Sequence, residues 1–227
     1  MQLCPLILDI VALLVIMRAR SNDGKAVSFQ DLRRAVEGEI FDYQMLMHHL
    51  REYKKPRDKI TLLLKNHSIV RIKKGLYIFG PDYQRGAVSL EILANLIYSP
   101  SYISLEYALS KYGLIPERAY HVTSVCLNRS RTFKTPMGMF TYKKRSLSVY
   151  PIGITQVENY LIAGPEKALA DLIFEVKGLK DVREMKEYLY ENMRMEQSFL
   201  RKLNRKLLAE ITRLYNMSDF LIKAIYD

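Results

Sequence analysis

The chain has 227 residues, 49% of them hydrophobic, with 35 Lys/Arg against 24 Asp/Glu for a formal charge of +11. That length allows one large or two small domains, and the apolar fraction excludes a disordered or low-complexity chain. The basic balance points to an acidic partner, nucleic acid before membrane, and two distant cysteines, Cys4 and Cys126, exclude a disulfide framework and a cysteine metal site and fit a reducing cytoplasm.

Leu3–Met17 is apolar except for Pro5 and Asp9, and Arg18 and Arg20 follow it. The run is short for a membrane span, and a signal peptide would place its basic residues before the apolar stretch. A packed or dimerising helix is the first expectation for residues 1–24. An over-extended translation start and a membrane anchor are the alternatives. Phe29–Val36 reads as a short helix closed by Gly38. Phe41–Tyr53 reads as a second helix with Phe41, Met45, Leu46 and Leu50 as its apolar stripe. Pro56 suits a first helical position, and Ile60, Leu63 and Leu64 then fall on one inward stripe. Ile69–Ile72 and Leu76–Phe79 are β-branched or aromatic runs joined by Lys73-Lys74-Gly75, where Gly75 can take the positive φ of a tight hairpin.

Helix, helix, turn, helix, hairpin is winged-helix order, and it sets a basic helix beside a basic hairpin. Between Arg51 and Gly75 there are nine Lys/Arg and two acids. On duplex DNA such a helix enters the major groove and the wing reaches phosphates or the minor groove. The expected DNA-binding residues are Lys54, Lys55, Arg57, Lys59, Thr61 and Lys65 on the turn and helix, and Arg71, Lys73 and Lys74 on the wing. The bland alternative is a solvated helix face and an ordinary charged hairpin.

Residues 81–86 are polar with Pro and Gly, so the boundary is placed there, giving domains 25–85 and 86–227. Beyond it Ser89–Tyr98 and Ser104–Tyr112 read as helices, the latter with Ser104 as N-cap and Gly113 past its end. Val122–Leu127 is strand-like. Arg131–Thr135 and Met139–Lys143 read as a hairpin about Pro136-Met137-Gly138, and Leu147–Ile152 as a further strand. Gly164-Pro165 starts a helix with Ala168, Leu169, Leu172, Ile173 and Val176 on one side, stopped by Lys177-Gly178. Two or three more helices follow, with Leu200, Leu203, Leu207, Ile211 and Leu214 as one long stripe. The expected fold class is α+β, an N-terminal winged helix-turn-helix domain followed by a mixed α+β C-terminal domain.

The stretch KPRDKITLLLKNHSIVRIKKGLYIFG, with SPSYISLEYALSKYGLIPE (99–117), RTFKTPMGMFTY (131–142) and AGPEKALADLIFE (163–175), resembles the AbiEi antitoxins of bacterial abortive-infection systems. The likeness runs from about Phe41 to Glu175. It implies a type IV antitoxin that represses its own operon through the winged helix, binding double-stranded DNA repeats near the promoter. It also implies a C-terminal domain that counters a nucleotidyltransferase-like toxin encoded nearby, without need of direct contact.

The chain has no GxGxxG, P-loop or HExxH. Its four histidines do not cluster with cysteines, so no metal, no cofactor and no catalysis are expected. Glu184-Met185-Lys186 reads as a solvated helix face, Glu166 as an acid in a first helical turn, and Lys167/Asp171 as a surface i, i+4 pair. A second basic cluster, Arg129, Arg131, Lys134, Lys143, Lys144 and Arg145, contains no acid and interleaves with Phe133, Phe140 and Tyr142. It reads either as a second nucleic-acid surface, with RNA as one partner, or as core aromatics with charges guarding a sheet edge. A homodimer on repeated half-sites is expected, since one module reads few bases. Two other readings stay open: a stand-alone regulator without a toxin, and a nucleic-acid-processing enzyme with a carboxylate–lysine site at Glu166 and Asp171.

Overall fold

The structure, a computed structural model, describes residues 29–227, so the apolar segment 3–17 lies outside it. The elements are of mixed α+β type and fall into two compact units. Among the described residues the first runs to Ile97 and takes in Lys134–Gly138; the second comprises Tyr98–Phe133 and Met139–Asp227. The polar stretch 81–86 lies inside the first.

The first unit opens with α1 (Phe29–Ala35), β1 (Ile40–Asp42), α2 (Tyr43–His49) and α3 (Pro56–Lys65). Strands β2 (Ile69–Lys73) and β3 (Leu76–Phe79) follow, then a short 3-10 turn at Pro81–Tyr83 and α4 (Leu90–Ile97). The three strands form an antiparallel sheet in the order β1-β3-β2. The helix expected over Phe41–Tyr53 is shorter at both ends. Phe41 sits in β1 opposite Tyr77. Asp42 caps the helix, its extended backbone placing the carboxylate to accept the Met45 N–H at 2.7 Å, so helical winding begins only at Tyr43. Phe41 then packs on Phe79, ring centroids 4.6 Å apart, and both are buried with Leu32, Leu46, Leu50 and Leu63 in one core. Truncating a ring such as Phe79 would cost about 3–5 kcal/mol in lost transfer energy and cavity. Gly75 turns the hairpin at φ 87. Gly80 is required by close approach, since a Cβ there would lie 1.7 Å from the His67 carbonyl oxygen, in the place where Gly80 N donates to Ser68 O at 2.8 Å.

The second unit contains β4 (Ser101–Ile103), α5 (Leu105–Lys111), β5 (Val122–Cys126), β6 (Arg131–Thr135) and β7 (Gly138–Lys144) apart from their joining residues Lys134–Gly138, β8 (Ile154–Val157) and β9 (Tyr160–Ala163). Helices α6 (Pro165–Glu175) and α7 (Val182–Glu187), a π-helical turn (Tyr188–Asn192), α8 (Gln197–Leu200), α9 (Arg205–Leu214) and α10 (Phe220–Tyr226) complete it. One mixed sheet has the order β6-β7-β5-β4-β9-β8, with β5/β7 and β4/β9 parallel and β4/β5 and β8/β9 antiparallel. The strand expected over Leu147–Ile152 is a turn instead. Val149 and Tyr150 both donate back to the Ser146 carbonyl, Pro151 has no N–H to offer a ladder, and the strands form later as β8 and β9. The stripe expected from Leu200 to Leu214 is split at Asn204, whose side chain accepts the Leu207 N–H at 3.1 Å and starts α9 afresh.

Candidate nucleic-acid interface

Helix α3 begins at Pro56, and its buried residues Ile60 and Leu63 fix which face looks out. Arg57, Asp58, Thr61, Leu62 and Lys65 are exposed, and Lys54 and Lys55 are exposed on the turn before it. Thr61 Oγ1 donates to the Arg57 carbonyl at 3.1 Å, and Lys55 and Asp58 lie 3.9 Å apart in solvent. Lys59 differs: it is half-buried, its ammonium 5.3 Å from the Tyr53 ring centre. On the hairpin Arg71 and Lys74 are exposed. Lys73, expected on phosphates, is turned inward. Its Nζ donates to the Ile97 carbonyl at 2.5 Å, and burial pushes its pKa down. The outward set in this unit is therefore Lys54, Lys55, Arg57, Thr61, Lys65, Arg71 and Lys74.

The second basic cluster divides the same way. Arg129, Arg131, Lys134 and Lys144 are exposed. Lys143 is half-buried against Glu175 at 2.9 Å. Arg145, expected on the surface, is only 4% exposed. Its Nη1 donates to Glu175 Oε1 at 2.7 Å and its Nη2 to the Asp171 carbonyl at 2.9 Å. Burial pulls its pKa down, but the charge of Asp171, with Tyr215 and Glu175, outweighs that and holds it above the ordinary arginine value. Lys143 and Arg145 in turn draw the Glu175 carboxyl down, despite the burial that raises it. Phe140 and Tyr142 are core residues, and Phe133 is half-buried.

The Lys167/Asp171 pair is not on the surface: both residues are 0% exposed. Asp171 accepts from Ser104 Oγ at 2.6 Å, from Tyr102 OH at 3.1 Å and from Tyr215 OH. Lys167 Nζ lies 3.2 Å from Asp171 and donates to the Val149 carbonyl at 2.9 Å and to Tyr215 OH at 2.7 Å. Desolvation lowers the Lys167 pKa, partly offset by Asp171, and burial beside Asp171 raises those of Tyr102 and Tyr215. Ser104 occupies the cap position of α5 without capping, because its hydroxyl is spent on Asp171. Glu166 is also buried and accepts the Asn204 N–H at 2.7 Å, which ties α6 to the start of α9. The sequence signal for this burial is present in α6, where Ala168, Leu169, Ala170 and Leu172 leave no polar face for Lys167 and Asp171 to occupy.

Among the described residues no group of three or more His, Cys, Asp or Glu is placed to hold a metal ion, and no helix is long and apolar enough to cross a membrane. No protein family and no curated protein matches the chain. The α+β arrangement does recur among solved structures. One is a crystal structure of the RV2827C protein from Mycobacterium tuberculosis, 12% identical, with a TM-score of 0.58 over 92% of this chain and 77% of that one. The likeness is one of fold.

Proposed function

We propose that the first unit is a winged helix that binds double-stranded DNA, and that the chain is an AbiEi-like antitoxin repressing its own operon. The observation that carries the DNA-binding reading is the outward set on α3 and the hairpin, which leaves Arg57, Lys65, Arg71 and Lys74 exposed in one small unit. Helix α3 would enter the major groove, with Arg57, Thr61 and Lys65 toward base edges or phosphates, while Lys74 at the hairpin tip holds the backbone. The antitoxin part is supported by the three sequence blocks of the second unit that resemble the family. In this reading the second unit counters a nucleotidyltransferase-like toxin encoded nearby, and the protein itself performs no catalysis.

The test is fluorescence-anisotropy binding to the DNA upstream of the gene and to shuffled DNA, at two salt concentrations. Preference for the upstream DNA, lost in Arg57→Ala/Lys65→Ala, is the expected outcome. Equal, salt-sensitive binding to both duplexes would sink autorepression. Co-expression with the neighbouring reading frame then tests antitoxicity, and absence of any toxic neighbour would remove that part of the proposal.

A further inference from the structure

Repression through α3 makes no use of the basic stretch in the second unit, and that stretch is longer than its hairpin. From Arg118 to Val157 the sequence has seven Lys/Arg and not one Asp or Glu. Two of the seven, Lys143 and Arg145, are neutralised by Glu175 on α6. Arg129, Arg131 and Lys144 remain exposed beside β6, the outermost strand of the sheet.

These three cations stand on a braced surface. Arg131 and Phe133 are two apart on a strand and so share a face, and the Arg131 guanidinium lies over the Phe133 ring, 4.9 Å from its centre. Tyr98 at 5.3 Å and Tyr142 at 5.7 Å, the latter edge-on, support that ring. The Tyr98 hydroxyl donates to the Arg129 carbonyl at 3.2 Å, and Lys144 N donates to Ser130 Oγ at 2.9 Å. Bonds to the backbone thus fix the positions of Arg129 and Lys144, and the Phe133 ring supports Arg131.

Guarding a sheet edge with charge is the competing account. The other edge argues against it: β8, Ile154-Thr155-Gln156-Val157, is largely exposed and carries no charge at all. Among the described residues, β8 carries no charge and the opposite edge is loaded with cations on aromatics. A duplex offers such a surface only phosphates, because its bases are already stacked. An unpaired strand offers phosphates and a free base face, which an arginine plane backed by an aromatic ring accepts.

We propose that the β6 edge of the second unit binds single-stranded nucleic acid, with phosphates at Arg129 and Lys144 and one base stacked on the guanidinium of Arg131. The inference is independent of the repressor reading. Its test uses the full chain carrying Arg57→Ala/Lys65→Ala/Lys74→Ala, so that the first unit contributes little. Anisotropy is read with labelled oligouridylate, oligodeoxyuridylate and a random duplex, and circular dichroism checks the fold. Both single strands are expected to bind more tightly than the duplex, and the tighter of the two identifies the preferred sugar. Adding Arg131→Lys keeps the charge and removes the plane, and should weaken strand binding about 5- to 150-fold, the range of one stacked base. Adding Arg129→Ala/Lys144→Ala should lower the salt slope by about 1.4, two phosphate contacts on a single strand. Arg131→Lys binding like its parent, or duplex bound as well as either strand, would overturn the proposal. So would oligonucleotide binding that survives Arg129→Ala/Arg131→Ala/Lys144→Ala together.

Discussion

The basic clusters of the two units meet different fates, although each unit buries one arginine on a carboxylate, Arg33 on Glu39 and Arg145 on Glu175. In the first, Arg57, Lys65, Arg71 and Lys74 face water, and the acid among them, Asp58, is exposed as well. In the second, Arg145 and Lys167 face inward onto Asp171 and Glu175. Residue type alone does not decide between these fates. Full burial goes with a carboxylate brought to the same place, as at Arg33, Arg145 and Lys167, because a buried cation without a partner costs several kcal/mol and a solvated one costs nothing. The end of strand β7 shows the switch within three residues: Lys144 is exposed, while Lys143 before it and Arg145 just past the strand are drawn to Glu175.

The strongest way to break this comparison is to remove the acid. Asp171→Ala leaves Lys167 and Arg145 buried beside an empty acceptor and strands the hydroxyls of Ser104, Tyr102 and Tyr215. A loss of about 3–5 kcal/mol is expected in urea denaturation. Asp171→Asn combined with Lys167→Met removes both charges while keeping an acceptor, and should lie closer to the wild type than Asp171→Ala does. If the single and the double variant lose equal stability, the network is packing alone and its charges are incidental.

Much of the architecture was legible in the residues. The inward stripe of α3, the Gly75 hairpin, the Asp-free basic hairpin about residue 136 and the start of α6 at Pro165 all follow from local rules that tertiary contacts left alone. Three features were not legible. The β1 strand is three residues long, and Phe41 fits a helix stripe as well as a strand until β3 pairs with it. Lys73 and Lys74 are identical in type and adjacent, and only the position of the Ile97 carbonyl separates them. Asp171 and Arg145 are 26 residues apart, and Asp171 and Tyr215 are 44 apart, so their meeting depends on the sheet and helix order. The burial of Lys167 and Asp171 does have a local signal, since an i, i+4 ion pair in a helix apolar on its other faces has no solvent face to occupy.

The adjacent lysines give a second, smaller test. Lys74→Ala should lower the salt slope of duplex binding by about 0.9, one phosphate contact. Lys73→Ala should leave that slope unchanged and instead reduce thermal stability by losing its bond to Ile97. Replacement of Arg57 should cost about 1–3 kcal/mol at particular base pairs if it reads an edge. Equal slopes for the two lysine variants would mean that Lys73 leaves Ile97 when DNA binds, or that neither touches phosphate; the Lys74→Ala slope against wild type separates these.

His49 sharpens the comparison from the other side, as a buried basic group that no carboxylate bonds. It lies on the core side of α2, and neither ring nitrogen has a hydrogen-bond partner among the described residues. Burial first, and the neighbouring His48 second, hold its pKa below the ordinary histidine value of 6.5, with Asp31 opposing them. The folded state therefore keeps the ring neutral where the unfolded chain protonates it. The sign follows: between the two values the unfolded state binds more protons, so stability is full above about pH 6.5 and falls as the pH drops through that value toward the folded pKa. Burial lowers the Lys167 pKa too, but there Asp171 bonds the ammonium and offsets part of the cost, whereas no carboxylate bonds His49. Denaturant midpoints of the first unit, followed through its tyrosines at pH 7 and pH 5, should decrease toward acid in the wild type. They should decrease less in His49→Leu, which has nothing to protonate. A His49→Leu protein with the full acid sensitivity of the wild type would place the titrating group elsewhere.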